Sequence, residues 1–224
     1  LGNRSMAGSV GFAALFFVFA GIVQEYVRGV RARQQATGEA LPVALVNLVR
    51  RNGRRYGGYI VHIGILLIAL GIIGNEFYQS EGQANLAPGE SVSVANYTLT
   101  YRTLDAVQGP NYTEFVAVVD VSRDGKPFGQ ILPKKHIYNK NSEQPMTEVG
   151  LRPGLVEDVY IVLAGFETMG STASFKVYVN PLMSWMWAGG LVMILGVMVS
   201  AWPRRAPATA EAPRRVPSVA QPIA

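Results

Sequence analysis

The chain has 224 residues, of which 49% are hydrophobic, with a net charge of +5 and no cysteine. The lack of cysteine excludes structural disulfides, thiolate metal sites, thiol redox chemistry and a CxxCH motif for covalent haem within this chain. Apolar residues concentrate in three uncharged stretches of 19, 20 and 21 residues, at 5–23, 56–75 and 182–202. Each is long enough to cross a hydrocarbon core of about 30 Å as a helix, and too little chain remains to bury three such helices in a soluble enzyme.

The charges predict how these helices are oriented. Residues 28–55 contain seven arginines and one acid, and the tail after Trp202 has four arginines and one acid, whereas residues 78–181 carry eight basic and eleven acidic side chains. Short loops rich in arginine stay in the cytoplasm, so the middle segment is expected outside, and nucleic acid is not needed to explain the basic excess. Leu1 then lies outside without a preceding signal, which suggests that it continues an earlier segment or that the sequence is part of a longer protein.

In chain order, the first helix offers no polar group at its centre and is assigned to packing. The middle segment contains β-rich, partly alternating runs at 91–101, 114–122, 127–138, 158–166 and 174–179, with a hairpin turn at Asp124-Gly125. These runs predict five or six strands in an antiparallel barrel or sandwich. The complete expected order is a transmembrane helix (1–27), a basic cytoplasmic loop (28–55), a transmembrane helix (56–77), an extracytoplasmic β domain (78–181), a transmembrane helix (182–202) and a disordered cytoplasmic tail (203–224).

Tryptophans mark both ends of the last helix, with Trp185 and Trp187 at the outer end and Trp202 at the inner end. This arrangement is typical of interfacial anchors in lipid. Trp185 and Trp187 are also placed where they could face a cofactor or partner at the outer surface.

His62 is the candidate site residue. It lies six residues past Tyr56, about 9 Å into the membrane, where an ionisable side chain is costly unless it is paired. At 100° per residue it shares a face with Gly58 and Leu66, while Gly57, Gly64 and Gly71 recur on nearly the opposite face, where a helix can approach closely. From chemistry alone, His62 is an axial haem ligand, a proton relay or a hydrogen-bonding partner of a neighbouring helix.

The other histidine, His136, lies in the segment PKKHIY of the outer domain. As a lone surface histidine among lysines it is expected to be solvated, without a functional role.

Three segments, RRYGGYIVHIGILLIALGI (54–72), QPMTEVGLRPGLVEDVYIVL (144–163) and VYVNPLMSWMWAGGLVMILG (177–196), resemble the C-terminal part of CcmF. CcmF is the haem lyase component of the cytochrome c maturation system. The resemblance covers most of residues 54–203 in order, and the PMTE…DVY run and the NP start of the last helix are its most specific parts. Residues 1–53 fit the layout but carry little sequence similarity.

The resemblance implies that the protein acts in the bacterial inner membrane, taking haem from the chaperone CcmE and helping to attach it to apocytochrome c. It implies that a b-type haem is held between two membrane histidines, with His62 at the position of one axial ligand. The Trp-rich haem-handling segment and its flanking histidines are missing from this sequence. The expected partners are therefore the remaining N-terminal part of the lyase or a split subunit, CcmE, apocytochrome c with its thiol-handling factors, and membrane lipid.

The function expected from these observations is a subunit or C-terminal fragment of a haem lyase that is not catalytic alone. Two alternatives stay open. One is a membrane scaffold whose outer β domain docks other proteins, and the other is a cytochrome b-like electron carrier linked to quinol. Met193 and Met198 are weak candidates for a second haem ligand, so that ligand is expected from another segment or chain.

Overall fold

The computed structural model of the chain describes residues 2–167 and 172–203. Four helices are present in the described residues: α1 (Gly2–Thr37), α2 (Leu41–Arg51), α3 (Gly53–Tyr78) and α4 (Met183–Ala201). Of these, α1, α3 and α4 are long and apolar enough to cross a membrane, by length and composition. The three expected membrane helices are thus confirmed as helices, while the expected disordered tail lies almost wholly outside the described residues.

The segment expected as a basic loop is largely helical. Helix α1 continues to Thr37 instead of ending near residue 27, and Gly38 follows it with a φ of 69°, the left-handed conformation that commonly ends a helix. Helix α2 then begins with a proline in its first turn, a position where the missing N–H costs nothing. Asn52, with φ −122° and ψ 40°, separates α2 from α3.

The three long helices run antiparallel to their neighbours. At one end of α3 the ring of Tyr78 stacks on Phe12 of α1, with 5.7 Å between ring centroids. At the other end the hydroxyl of Tyr26 donates to the backbone oxygen of Tyr56 over 2.9 Å. Helix α4 packs along the glycine-rich face of α3, so α3 lies between the other two.

Residues 80–181 form an inserted antiparallel β-sandwich. Its strands are β1 (Ser80–Leu86), β2 (Ser91–Val94), β3 (Tyr97–Gln108), β4 (Tyr112–Arg123), β5 (Lys126–Ile131), β6 (Lys134–Tyr138), β7 (Asn141–Glu148), β8 (Gly150–Arg152), β9 (Glu157–Phe166) and β10 (Ala173–Pro181). One sheet has the order β1-β10-β9-β8 and the other the order β2-β3-β4-β6-β7, with β5 paired to β4. The expected antiparallel β domain is confirmed, in its sandwich form.

The core of the sandwich lies between the two sheets. Tyr101 on β3 and Phe175 on β10 meet there with ring centroids 5.2 Å apart, and both are almost completely buried. In the register of β3 and β4, Tyr101 lies opposite Val119. Buried Val119 alternates with half-buried neighbours along β4, as expected for a strand with one face in the core. The expected turn at Asp124-Gly125 is present, and positive φ angles at both residues, 49° and 76°, match a two-residue hairpin.

Candidate functional site

Helix α3 is engaged on one face by backbone contact with α4. A Cβ atom on Gly64 would lie 2.6 Å from the amide nitrogen of Met193 and 2.7 Å from the carbonyl oxygen of Gly189. A Cβ on Gly57 would lie 2.6 Å from the amide nitrogen of Ser200. The small residues on this face therefore let the two helix backbones touch, as the seven-residue spacing of the glycines indicated.

His62 lies on a different face of α3 and is exposed. Its Nδ1 is 2.8 Å from the backbone oxygen of Gly58, one turn earlier. A carbonyl oxygen only accepts hydrogen bonds, so Nδ1 must carry the proton. In a neutral ring the lone pair is therefore on Nε2.

The surroundings of His62 are open and apolar. Ile65, about one turn after His62, is 47% exposed, and Ile72, nearly three turns from His62, is 50% exposed. A Cβ on Gly58 would meet no atom within 4 Å, so the helix surface one turn before His62 is open in the described part of the chain. The free Nε2 of an exposed imidazole is suited to bind the iron of haem, and the apolar helix surface around it is suited to contact the flat macrocycle.

The structure also bears on the two alternatives for His62 that its chemistry left open. Its hydrogen bond stays within α3, and no bond to a neighbouring helix is found among the described residues. A proton relay needs further titratable groups, and apart from Tyr59 none accompanies His62 in residues 57–75 of α3 or in α4. His62 is therefore a single imidazole whose hydrogen bond stays within its own helix.

Neither methionine named as a weak second ligand is brought to His62. The backbone of Met193 packs against Gly64, on the opposite face of α3. Met198 lines a cavity near Arg50, at the end of the helices farthest from the β-sandwich. Within the described residues, no second axial ligand faces the imidazole.

His136 is not the solvated surface side chain that was expected. Its side chain is only 17% exposed and its ring stacks on Tyr112, with centroids 5.1 Å apart and planes inclined by 19°. Its Nε2 lies 3.2 Å from Oε2 of Glu114, too poorly aligned for a hydrogen bond. The neighbouring Lys135 is also partly buried and donates to the backbone oxygen of Ala164 on the other sheet, and this burial lowers the pKa of its amine. Tertiary packing of β6 therefore overrides the polar appearance of the segment.

A polar junction that the sequence did not reveal fixes the β-sandwich to α4. Asp158, 3% exposed, accepts hydrogen bonds at Oδ1 from the amide of Gly154 over 2.8 Å and from the hydroxyl of Ser184 over 3.1 Å. The indole Nε1 of Trp185 donates to the backbone oxygen of Leu155 over 2.8 Å. Trp185 is thus a structural link, whereas Trp187 is 77% exposed.

A second link ties the sandwich to α3, because the side-chain amide of Gln79 donates to Oδ1 of Asn180 over 2.6 Å. Asn180 is itself buried. Both membrane helices that flank the inserted domain are therefore attached to it by hydrogen bonds, which holds the domain in a defined position relative to the helix that carries His62.

Several ionisable side chains of the sandwich form hydrogen bonds and ion pairs that connect its strands. Tyr97 is almost completely buried and donates to Glu157 over 3.0 Å, and burial together with this bond raises the pKa of its phenol to about 12. The guanidinium of Arg102, 2.6 Å from Asp120, and the amide of Gln130 lower the pKa of that carboxyl.

Comparison with known proteins identifies the inserted domain and its relatives. Residues 77–181 match the family described as the CcmF C-terminal beta-sandwich. The chain is 36% identical over 151 residues to the cytochrome c-type biogenesis protein CcmF of Pseudomonas fluorescens, covering 67% of this chain and 22% of that protein. It is 33% identical over 148 residues to the cytochrome c-type biogenesis protein NrfE of Haemophilus influenzae, covering 66% and 23% respectively.

A solved structure named cytochrome c heme lyase CcmF has the same fold over 83% of this chain and 34% of its own, with a TM-score of 0.60 and 18% identity. The chain spans about a quarter of the length of the curated relatives that it matches.

Proposed function

We propose that this chain is part of a cytochrome c haem lyase, because residues 77–181 match the CcmF C-terminal beta-sandwich and the chain is similar to the C-terminal part of CcmF proteins. In this proposal His62 is one axial ligand of a b-type haem in the membrane. The observation that carries it is the free Nε2 of His62 on an open apolar face, with Nδ1 occupied by Gly58.

The hydrogen bond from Nδ1 to Gly58 has two effects in this proposal. It selects the tautomer whose Nε2 is the ligand, and it limits rotation of the ring, as outer partners of metal-bound histidines generally do. Ile65, about one turn after His62, adds an apolar side chain beside the imidazole on the same helix surface. Bound haem would supply an iron centre that exchanges single electrons, with a potential set in part by the axial imidazole.

The second axial ligand is proposed to come from the remaining N-terminal part of the lyase or from a separate subunit. Such a segment must approach the face of α3 that carries His62, since α4 covers the glycine face and α1 contacts Tyr56 and Tyr78. The exposed Ile65 and Ile72 would then be buried against the haem or that segment. The chain is therefore not catalytic by itself.

The β-sandwich is proposed to lie outside the cytoplasm of a bacterium, on the side of the inner membrane where the haem chaperone CcmE and apocytochrome c would meet the lyase. Its attachment to α3 through Gln79 and to α4 through Asp158 supports a role in holding those partners in a fixed position above the haem helix.

The proposed orientation can be tested by labelling single cysteines in cells with a reagent that cannot cross the membrane. Asn111, exposed between β3 and β4, should be modified after replacement by cysteine. Thr37, exposed at the end of α1, should be protected until the membrane is permeabilised. The opposite pattern would show that the arginine asymmetry has been misinterpreted.

The haem role is tested by His62→Ala in the complete membrane assembly, with His136→Ala as the matched control. His62→Ala should remove or strongly reduce the bis-imidazole absorbance spectrum while the protein stays in the membrane. His136→Ala, which deletes the same ring from the outer domain, should leave that spectrum unchanged. Full haem content with an unchanged spectrum in His62→Ala would show that His62 is not an axial ligand.

A further inference from the structure

A cavity of about 750 Å³ lies at the end of the helices farthest from the β-sandwich. It opens between the end of α2, the start of α3 and the last two turns of α4. Its apolar wall is formed by Leu195, Met198, Val199 and Trp202 from the α4 side and by Val49 from α2. Its volume is in the range of sites that hold small organic molecules.

Arginines surround the opening of this cavity. Arg50 and Arg51 line it directly, and Arg54 lines an adjoining cavity of about 400 Å³ that shares Trp202 and Pro203 with the first. All three arginines are exposed, and in the described part of the chain none of them forms an ion pair.

The acids nearest in sequence are already engaged. Glu25 is 2.6 Å from a guanidinium nitrogen of Arg55, and Glu39 is 2.7 Å from one of Arg33. Glu39 also interacts electrostatically with Arg51, but in the described residues no acid forms an ion pair with Arg50, Arg51 or Arg54. Their guanidinium groups therefore keep hydrogen-bonding capacity for an anion, and phosphate is a preferred partner of arginine.

Helix α2 indicates where the cavity lies across the thickness of the membrane. Its buried residues Ala44 and Leu48 pack in a cluster with Val30 of α1, whereas Leu41 and Val46 remain 61% and 57% exposed. A short helix with exposed apolar side chains at the end of membrane-crossing helices is typical of one lying in the interface between headgroups and acyl chains. The arginines at its end are then at the level of lipid phosphates.

We propose that this cavity binds an anionic phospholipid, with the phosphate held by Arg50, Arg51 and Arg54 and an acyl chain packed along Met198 and Trp202. Basic pockets between membrane helices on the cytoplasmic side commonly recognise lipid headgroups in this way. A lipid explains both halves of the site, since the wall is apolar and the opening is cationic. A further protein helix on this groove would need carboxylates to match three guanidinium groups.

The site can be probed through Trp202, which lines both cavities. Trp185→Phe and Trp187→Phe in the full chain leave Trp202 as its single tryptophan. The chain is placed in nanodiscs with increasing amounts of phosphatidylglycerol or phosphatidylcholine brominated on the acyl chain, and quenching of Trp202 fluorescence is recorded.

Brominated phosphatidylglycerol should reach half-maximal quenching at about a tenfold lower mole fraction than brominated phosphatidylcholine, because several arginines contribute to anion binding. Replacing Arg50, Arg51 and Arg54 by glutamine should remove this preference, and replacing all three by lysine should retain most of it. Arg31→Gln, on α1 away from the cavity, should have no effect. Equal quenching by both lipids, or an unchanged preference in the glutamine variant, would overturn the proposal.

A second measurement separates lipid from protein as the occupant. A photo-crosslinking residue in place of Val199, in the complete membrane assembly, should form an adduct with the mass of a phospholipid. An adduct to a polypeptide segment of the lyase would show that a protein helix fills the groove and would refute lipid binding.

Discussion

The contact between α3 and α4 makes Gly64→Ala a severe change for its size. The added methyl group would lie 2.6 Å from the amide nitrogen of Met193, 2.7 Å from the oxygen of Gly189 and 2.9 Å from the Cα of Met193. All three atoms are backbone atoms of α4, so no side-chain rotation relieves the clash. The helices must separate locally by more than half an ångström to restore ordinary contact distances.

The size of the effect follows from two opposing contributions. Forcing one extra carbon into a well-packed interface typically costs about 1–3 kcal/mol. Replacing glycine by alanine inside a helix gains about 0.5–1 kcal/mol of helix stability, because the unfolded chain loses freedom. The net expectation for Gly64→Ala is a destabilisation of about 1–2 kcal/mol.

Gly58→Ala is the matched control, since it makes the same chemical change six residues earlier in the helix, where the new Cβ meets nothing within 4 Å. Thermal unfolding in a fixed detergent, followed by tryptophan fluorescence of the α4 residues, should show a lower midpoint for Gly64→Ala and an equal or higher one for Gly58→Ala. If both variants behave alike, the close approach of α3 and α4 is not what holds the membrane helices together.

Two further predictions concern the outer domain and its attachment. Asp158→Ala leaves the half-buried amide of Gly154 and the hydroxyl of Ser184 without their acceptor, which should cost about 1–3 kcal/mol. Hydrogen exchange should accelerate at the Gly154 amide, and unchanged exchange would refute the link. The hydrogen bond from Arg102 is the main reason why the pKa of Asp120 is lowered in the folded protein. The ionised Asp120 carboxylate therefore stabilises the fold above the unfolded-state pKa of about 4, and this stabilisation is lost as the pH falls through the lower pKa of the folded state. The stability difference between the native chain and Asp120→Asn should therefore be constant above about pH 5 and shrink in more acidic buffer, and an unchanged difference in acid would contradict this assignment.

The parts of the structure that follow a strong local pattern were predictable from the sequence. The glycine spacing of α3 places Gly57 and Gly64 on one side and His62 on another, because every residue of a helix advances by 100°, and the structure has this arrangement. The Asp124-Gly125 turn was predictable because its chemistry is local, since both residues tolerate positive φ.

Other elements were missed because their patterns are weak or nonlocal. Strand β1 (Ser80–Leu86) has no β-branched residue and gains its place by pairing with β10, and β7 is mostly polar. Helix α2 was not predicted because its arginines and proline are typical of a loop, although proline is favourable in the first turn of a helix. Asp158 accepts a hydrogen bond from Ser184, 26 residues away, so no local sequence motif predicts this contact between the sandwich and α4.

The central claim is that Nε2 of His62 is bound to haem iron, and imidazole rescue of His62→Gly in the complete assembly tests it most directly. Removing the side chain should leave a vacant position next to Gly58, where the helix surface is already open. Without added ligand the variant should lose its six-coordinate bis-imidazole spectrum, and millimolar imidazole should restore it in a saturable titration. A variant that keeps the native spectrum before imidazole is added would contradict the assignment of His62 as the axial ligand.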